Sequence, residues 1–236
     1  MWWPEGKPQL QSSQGVHLVF DSSFLKSNDA VMIPKTTDGR VLFAVPWHDH
    51  VLVGTTDTPL DQHSIEPVAL NEEINFIFKN INKYFAHVNK ADVLSVFAGL
   101  RPLAAPQKET GSTKEIPRDH KLLVSPSGLI TITGGKWTTY RRRAELTVNK
   151  AGEVAGLKNF ACKTKELSIH GFMPALPGKD SLTIDGSDRV LIDALIKEKP
   201  FLQEKIIGGF PYLQGEIIWA VREEMARTIE DVLARR

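Results

Sequence analysis

The chain has 236 residues, of which 42% are hydrophobic, 8% aromatic and 24% charged, and this excludes a disordered, collagen-like or low-complexity polypeptide. Its 29 Lys and Arg offset 28 Asp and Glu, so no global field draws nucleic acid, and any anion must be held by a local cluster. The single cysteine, Cys162, excludes an intramolecular disulfide, is a poor start for a zinc site, and fits a reducing compartment.

Length alone suggests one large domain or two small ones. No apolar run approaches the roughly 18 residues that a membrane span needs. The start, Met-Trp-Trp-Pro-Glu-Gly, lacks the basic and apolar regions of a signal peptide. Residues 1–14 carry Pro4, Pro8 and a Gln-Ser-Ser-Gln run, and read as an irregular leader. A period of two then takes over. Val16, Leu18 and Phe20 alternate with His17 and Val19, as in a half-buried strand. Two further runs, 31–33 and 41–45, flank Thr37-Asp-Gly39, a hairpin signal, and Trp47-His-Asp-His50 makes a second turn before Val51-Leu-Val53. The expectation is an antiparallel meander. Asn71 reads as an N-cap with Glu72 and Glu73 in the first turn, and Ile74, Phe78, Ile81 and Phe85 predict an amphipathic helix over 72–86. Residues 93–100 return to strand chemistry and end at Gly99-Leu-Arg-Pro102, followed by a long polar loop over 105–119. A hairpin about Ser125-Pro-Ser-Gly128 leads into Thr133-Gly-Gly-Lys136, and Trp137, Tyr140, Ala144, Val148, Ala151 and Ala155 recur at helical spacing. Beyond Gly156 the chain is loop-rich to residue 187. Asp188 then suits the cap of a helix through Lys197, and a longer helix fits 213–235. The fold class is α+β.

The strongest local signal is the strand–glycine–helix run from Ile132 to Thr139. Two glycines permit close backbone approach, and the helix start offers free amides, a positive dipole end and the charge of Lys136. The same residues also suit a plain tight turn with Lys136 in solvent. Neither a phosphate-cradling P-loop nor a Gly-x-Gly-x-x-Gly fingerprint is present, so the chain by itself is no complete dinucleotide-binding domain. Arg101, at the end of an apolar strand and before Pro102, is either a guanidinium fork for a phosphate or carboxylate or a solvated strand end. His17 is either a structural strand histidine or a general base. His48 and His50 share a spacing of two but have no third ligand nearby, so no metal site is expected. No Gly-x-Ser-x-Gly elbow supports nucleophilic hydrolysis.

Several runs together resemble one family. They are Gly15-Val-His-Leu-Val19, Pro46-Trp47, Gly54-Thr-Thr-Asp57, Gly99-Leu-Arg-Pro-Leu103, Arg118-Asp119, Thr133-Gly-Gly-Lys-Trp-Thr-Thr-Tyr-Arg141, Tyr212-Leu213 and the stretch from Val221 to Arg236. In order and spacing they are similar to the C-terminal portion of FAD-dependent glycerol-3-phosphate dehydrogenases. The resemblance implies an antiparallel substrate-binding cap over 15–119, the returning strand–turn–helix of an FAD domain over 120–152, and a truncated helical C-terminal domain over 153–236. It implies oxidation of sn-glycerol 3-phosphate to dihydroxyacetone phosphate, with the C2 hydride passing to flavin N5 and electrons to quinone or oxygen.

By the same resemblance His17 matches a candidate base for the C2 hydroxyl. Arg101 matches the arginine contacting phosphate or C2 oxygen, Arg118 a second arginine near the phosphate, and Lys136 the lysine beside substrate and flavin. Gly134, Gly135, Lys136, Trp137, Thr138 and Thr139 match the segment abutting the flavin pyrimidine. The family's N-terminal third has no counterpart here. The expectation is therefore a piece of a longer protein, inactive alone, with weak or absent FAD binding and an uncovered apolar face that favours self-association. Its location is expected to be cytoplasmic, with the parent peripheral on the inner face of the cytoplasmic membrane. A non-catalytic binding or assembly module, and another amine- or hydroxy-acid-oxidising flavoprotein with the same cap, are the alternatives.

Overall fold

Alternation at Val16, Leu18 and Phe20 marks the strand about which the first part of the chain is organised. That strand begins at Leu10, inside the leader expected to be irregular over 1–14, because backbone pairing with a later strand carries the polar residues 11–14. The computed structural model describes residues 10–85, 88–104, 119–158, 161–174 and 180–234. In it, strand β1 (Leu10–Asp21) buries Val16, Leu18 and Phe20 on one face, leaving Gly15, His17 and Val19 on the other. Strands β2 (Val31–Ile33), β3 (Leu42–Trp47) and β4 (His50–Gly54) form an antiparallel ladder through the two expected turns. β4 then pairs with residues 17–21 of β1, and β5 (Thr58–Leu60) pairs with residues 12–14 of the same strand. β6 (Val93–Ala104) runs antiparallel to β1 along almost its whole length. The result is a six-stranded sheet in the order β2-β3-β4-β1-β5, with β6 also on β1.

This departs from a simple meander, because β1 is not beside its successor β2. Alternation fixes which face of a strand is buried and leaves the choice of partner to long-range packing. A strand of 12 residues is long enough to pair with β4 and β5 end to end.

Helix α1 (Asn71–Ile81) covers the apolar face, burying Ile77, Phe78 and Ile81 against Val16, Leu18, Phe20, Val51 and Val53. It is shorter than the expected 72–86, and Asn71 is its first residue rather than its cap. The Glu73 carboxylate does the capping, accepting the Leu70 amide at 2.9 Å. The helix stops because the Asn82 side chain bonds both the carbonyl and the amide of Val88, at 3.2 and 3.0 Å, folding the chain back. Phe85 still packs against the core, while residue 86 lies outside the described residues. Most of the expected loop, residues 105–118, also lies outside them.

The expected second hairpin is formed by β7 (His120–Val124) and β8 (Ile130–Gly134), and leads through a short 3-10 turn (Trp137–Thr139) into α2 (Tyr140–Val154). None of the residues of α2 is buried, so the apolar stripe read from the sequence faces outward.

The chain divides into two compact units, Met1–Cys162 and Lys163–Arg236. The second packs α3 (Arg189–Glu198) and α4 (Gln214–Glu223) around Leu182, Ile192 and Trp219, and also holds α5 (Ile229–Ala234), none of whose residues is buried. The single helix expected over 213–235 is thus two. Thr228 and Asp231 cap each other's backbone amides at 3.0 and 3.2 Å and start α5 afresh. Asp188 sits at the N-terminus of α3 but gives its carboxylate to His170 at 2.8 Å instead of the helix amides. Among the described residues no helix is long and apolar enough to cross a membrane.

Candidate functional site

The face of the sheet turned away from α1 carries the candidate chemistry. Strand register places His17 opposite Gly54 of β4 and Phe97 of β6, and Ser13 opposite Arg101 of β6. The His17 imidazole lies on Gly54, where a Cβ would stand 2.4 Å from the ring, and it stacks on Phe97 at 5.2 Å between centroids. The Arg101 guanidinium lies on Gly15 in the same way, so that a Cβ there would overlap Nη2. Glycine at both positions is therefore a requirement of these two side chains, which occupy the space a methyl group would take. Gly99, between Phe97 and Arg101 along β6, is exposed and has nothing within 4 Å of where a Cβ would be. That gap is an open berth between an imidazole and a guanidinium.

Arg101 is held by Thr55, whose Oγ1 accepts Nη2 at 2.8 Å, and by Asp57, whose carboxylate is 3.9 Å from Nη1. The Asp57 side chain is 4% exposed against 25% for Arg101, and Asp57 also accepts the Ser13 hydroxyl. Burial lowers the pKa of His17 below its ordinary 6.5, and the positive charge of Arg101 lowers it further. An imidazole held neutral at physiological pH is a proton acceptor.

The glycine turn, which follows β8, lies beside the C-terminal end of β6. Gly134 and Gly135 have φ of 69° and 85°, in the left-handed region that glycine tolerates. A Cβ on Gly134 would come within 3.0 Å of Ala104, the last residue of β6 and three positions beyond Arg101. Lys136 follows, exposed, at the start of the 3-10 turn, and neither it nor Thr139 caps the turn with a side-chain bond. Trp137 stacks on Tyr140 at 5.1 Å with 81% of its surface exposed, and Thr138 and Thr139 are exposed beside them. Arg143 reaches back to the Gly134 carbonyl, adding a second cation at this helix start. The Thr133 hydroxyl just before the turn is buried and meets no partner among the described residues.

His17 and Arg101 are thus brought together on one face, and Lys136 stands at the turn abutting the far end of β6. Arg118 lies outside the described residues. The sequence reading missed the roles of Thr55 and Asp57, although Gly54-Thr-Thr-Asp57 was visible as a motif. A polar quartet directly after an apolar strand was the available signal. Among the described residues no group of three or more His, Cys, Asp or Glu could hold a metal ion.

An antiparallel sheet with an imidazole and a guanidinium on one face thus stands beside a glycine turn at a helix start. Residues 1–141 match the family described as FAD dependent oxidoreductase, and residues 185–236 match the C-terminal domain of alpha-glycerophosphate oxidase. The chain belongs to the FAD dependent oxidoreductase family. It is 36% identical to the probable mitochondrial glycerol-3-phosphate dehydrogenase of Caenorhabditis elegans over 98% of this chain and 35% of that one. It is 34% identical to the mitochondrial glycerol-3-phosphate dehydrogenase of Homo sapiens over 96% of this chain and 34% of that one. The chain therefore spans about a third of the length of these curated relatives. Among solved structures it is similar to glycerol-3-phosphate dehydrogenase from Bacillus halodurans complexed with FAD, with a TM-score of 0.73 and 28% identity, covering 96% of this chain and 48% of that one. The fold is accordingly mixed α and β with antiparallel sheets, as in that structure.

Proposed function

We propose that this chain carries the substrate-binding side of a flavoprotein that oxidises sn-glycerol 3-phosphate to dihydroxyacetone phosphate. The observation that carries the reading is the pairing of Arg101 with a low-pKa His17 across the open berth at Gly99. In this reading residues 15–119 form the cap, 120–152 the returning part of the FAD domain, and 153–236 the helical C-terminal domain.

The turn suits the polar edge of a flavin: it offers uncapped amides, a Thr133 hydroxyl with no partner among the described residues, Lys136 and Arg143. Gly134, Gly135, Lys136, Trp137, Thr138 and Thr139 would hold that edge. The sequence has no Gly-x-Gly-x-x-Gly, the run that suits a pyrophosphate. When bound, FAD supplies the acceptor for the C2 hydride.

The chain's own residues do the rest. Arg101 binds the phosphate or the C2 oxygen through its planar fork, with Arg118 and Lys136 completing the charge that a dianion requires. His17 takes the proton from the C2 hydroxyl, a task suited to a neutral imidazole. Phe97 holds the ring in place from the opposite strand. Electron transfer to quinone or another acceptor, peripheral association with a membrane surface and self-association through uncovered apolar surface belong to the same proposal.

Substitution of Arg101 tests it. A bidentate contact to a dianion in a partly desolvated pocket is worth about 2–4 kcal/mol. Arg101→Ala in the full-length, flavin-loaded parent protein should lower kcat/KM for glycerol 3-phosphate by roughly 30- to 1000-fold with flavin content unchanged. Arg101→Lys should recover only part of the loss, because a point charge does not reproduce the fork. Near-normal turnover of the alanine variant, or loss of its flavin, would make Arg101 structural and overturn the assignment.

A further inference from the structure

Residues 55–58 divide their side chains between two duties in alternation. Thr56 and Thr58 donate their hydroxyls to one oxygen of Glu73, at 2.9 and 2.7 Å. Thr56 also accepts the Val16 amide at 2.9 Å. Glu73 is 3% exposed, and its other oxygen receives the side chain of Gln14 at 2.7 Å and the Leu70 amide at 2.9 Å. This even-numbered side ties the segment to α1 and β1. The odd-numbered side, Thr55 and Asp57, is given to Arg101.

A buried carboxylate next to a guanidinium is poor evidence for stability, because desolvation of both charges offsets most of their attraction. Its better-attested use is to fix geometry. Here the geometry is tightly fixed: the Gly15 backbone forms the floor under the guanidinium, Thr55 takes one terminal nitrogen and Asp57 faces the other. Asp57 is itself oriented by the Ser13 hydroxyl from β1. A long side chain on a sheet rim has several free torsions, and each contact removes some of that freedom before any ligand arrives.

We propose that Thr55 and Asp57 are positioning residues that lock the Arg101 guanidinium over Gly15 in the orientation that receives the substrate's anionic oxygens, an assignment that rests on the reading of Arg101 as a substrate ligand. The segment after β4 is then a clamp, with Glu73 as its anchor and Arg101 as the part it aims.

A double-mutant cycle in the full-length, flavin-loaded parent protein decides the matter, with glycerol 3-phosphate affinity read by calorimetry alongside KM and kcat. Asp57→Asn and Thr55→Val should each raise Kd and KM by roughly 5- to 50-fold while kcat changes by less than about threefold, as expected for lost binding geometry. In an Arg101→Ala background neither substitution should change Kd by more than about twofold, because they act only through that guanidinium. Losses that multiply in the double variants would mark a general structural effect and overturn the proposal. Wild-type affinity in Thr55→Val and Asp57→Asn, with affinity lost in Arg101→Ala, would overturn it while leaving the substrate role of Arg101 intact. Full affinity in Arg101→Ala would remove that role and this proposal together. Thr55→Val leaves the buried carboxylate in place and carries the test alone if Asp57→Asn does not fold.

Discussion

At the scale of single residues, His17 is set by what covers it. Its ring lies on Gly54 and against Phe97, and burial is the larger cause of its lowered pKa, with the charge of Arg101 second. The sign follows directly. The folded ring binds a proton less readily than the unfolded one, so the stability it contributes is present above pH 6.5 and is lost as pH falls through its lowered folded value. Phe97→Ala should expose the ring and move its titration midpoint upward toward 6.5. NMR titration of the His17 imidazole checks this, and an unchanged midpoint would show that Phe97 contributes nothing to the burial. The residue identities behind this chemistry were legible in the sequence: alternation put His17 on the face opposite Val16 and Leu18, and Pro102 marked Arg101. Their partners were not legible. Nothing local to Gly15 or Gly54 says that a guanidinium and an imidazole will lie on them, because both contacts arise from strand register between segments tens of residues apart.

At the scale of elements, Glu73 joins three pieces of structure. It caps α1 at Leu70, ties α1 to β1 through Gln14, and holds the segment after β4 through Thr56 and Thr58. Burial pushes its pKa up, yet the bonds from Leu70, Thr58, Gln14 and Thr56 together hold it below the ordinary carboxylate value. Its contribution is accordingly present above pH 4.5 and lost as pH falls through the lowered value. Glu73→Ala leaves several buried donors unpaired and should cost about 3 kcal/mol, read as a lower urea midpoint with an unchanged slope. A loss under about 1 kcal/mol would mean that water or rearrangement satisfies those donors. Elements were legible where one short-range signal dominated, as in the Asp-Gly turn between β2 and β3. They were misread where a side chain competed with periodicity. Asn82 folds the chain back before Phe85 can extend α1, and the Thr228–Asp231 cap divides an otherwise continuous apolar face into α4 and α5.

At the scale of the whole chain, the provision for a cofactor is one-sided. The turn at Gly134 can meet the edge of a ring, whereas the sequence carries no Gly-x-Gly-x-x-Gly run to hold a pyrophosphate. Calorimetric titration of this chain with FAD should find binding weaker than micromolar, and a micromolar or tighter site would refute that expectation. The same one-sidedness is visible in α2. Its apolar stripe recurs at helical spacing from Trp137 through Val148, a pattern that serves to cover a core. Yet Trp137 is 81% and Val148 68% exposed, and no residue of the helix is buried. Apolar surface of this extent, contiguous along one helix, favours association with another apolar surface. In solution this chain should therefore self-associate, with light scattering giving a mass above the 26.3 kDa of one copy in a concentration-dependent manner. Val148→Glu with Ala151→Glu places two carboxylates in the middle of the stripe without touching the sheet. These substitutions should return the mass to 26.3 kDa and leave the circular dichroism spectrum unchanged. A monomer at every concentration before substitution would show that the exposed stripe does not drive association, and an associated double variant would place the contact elsewhere on the chain.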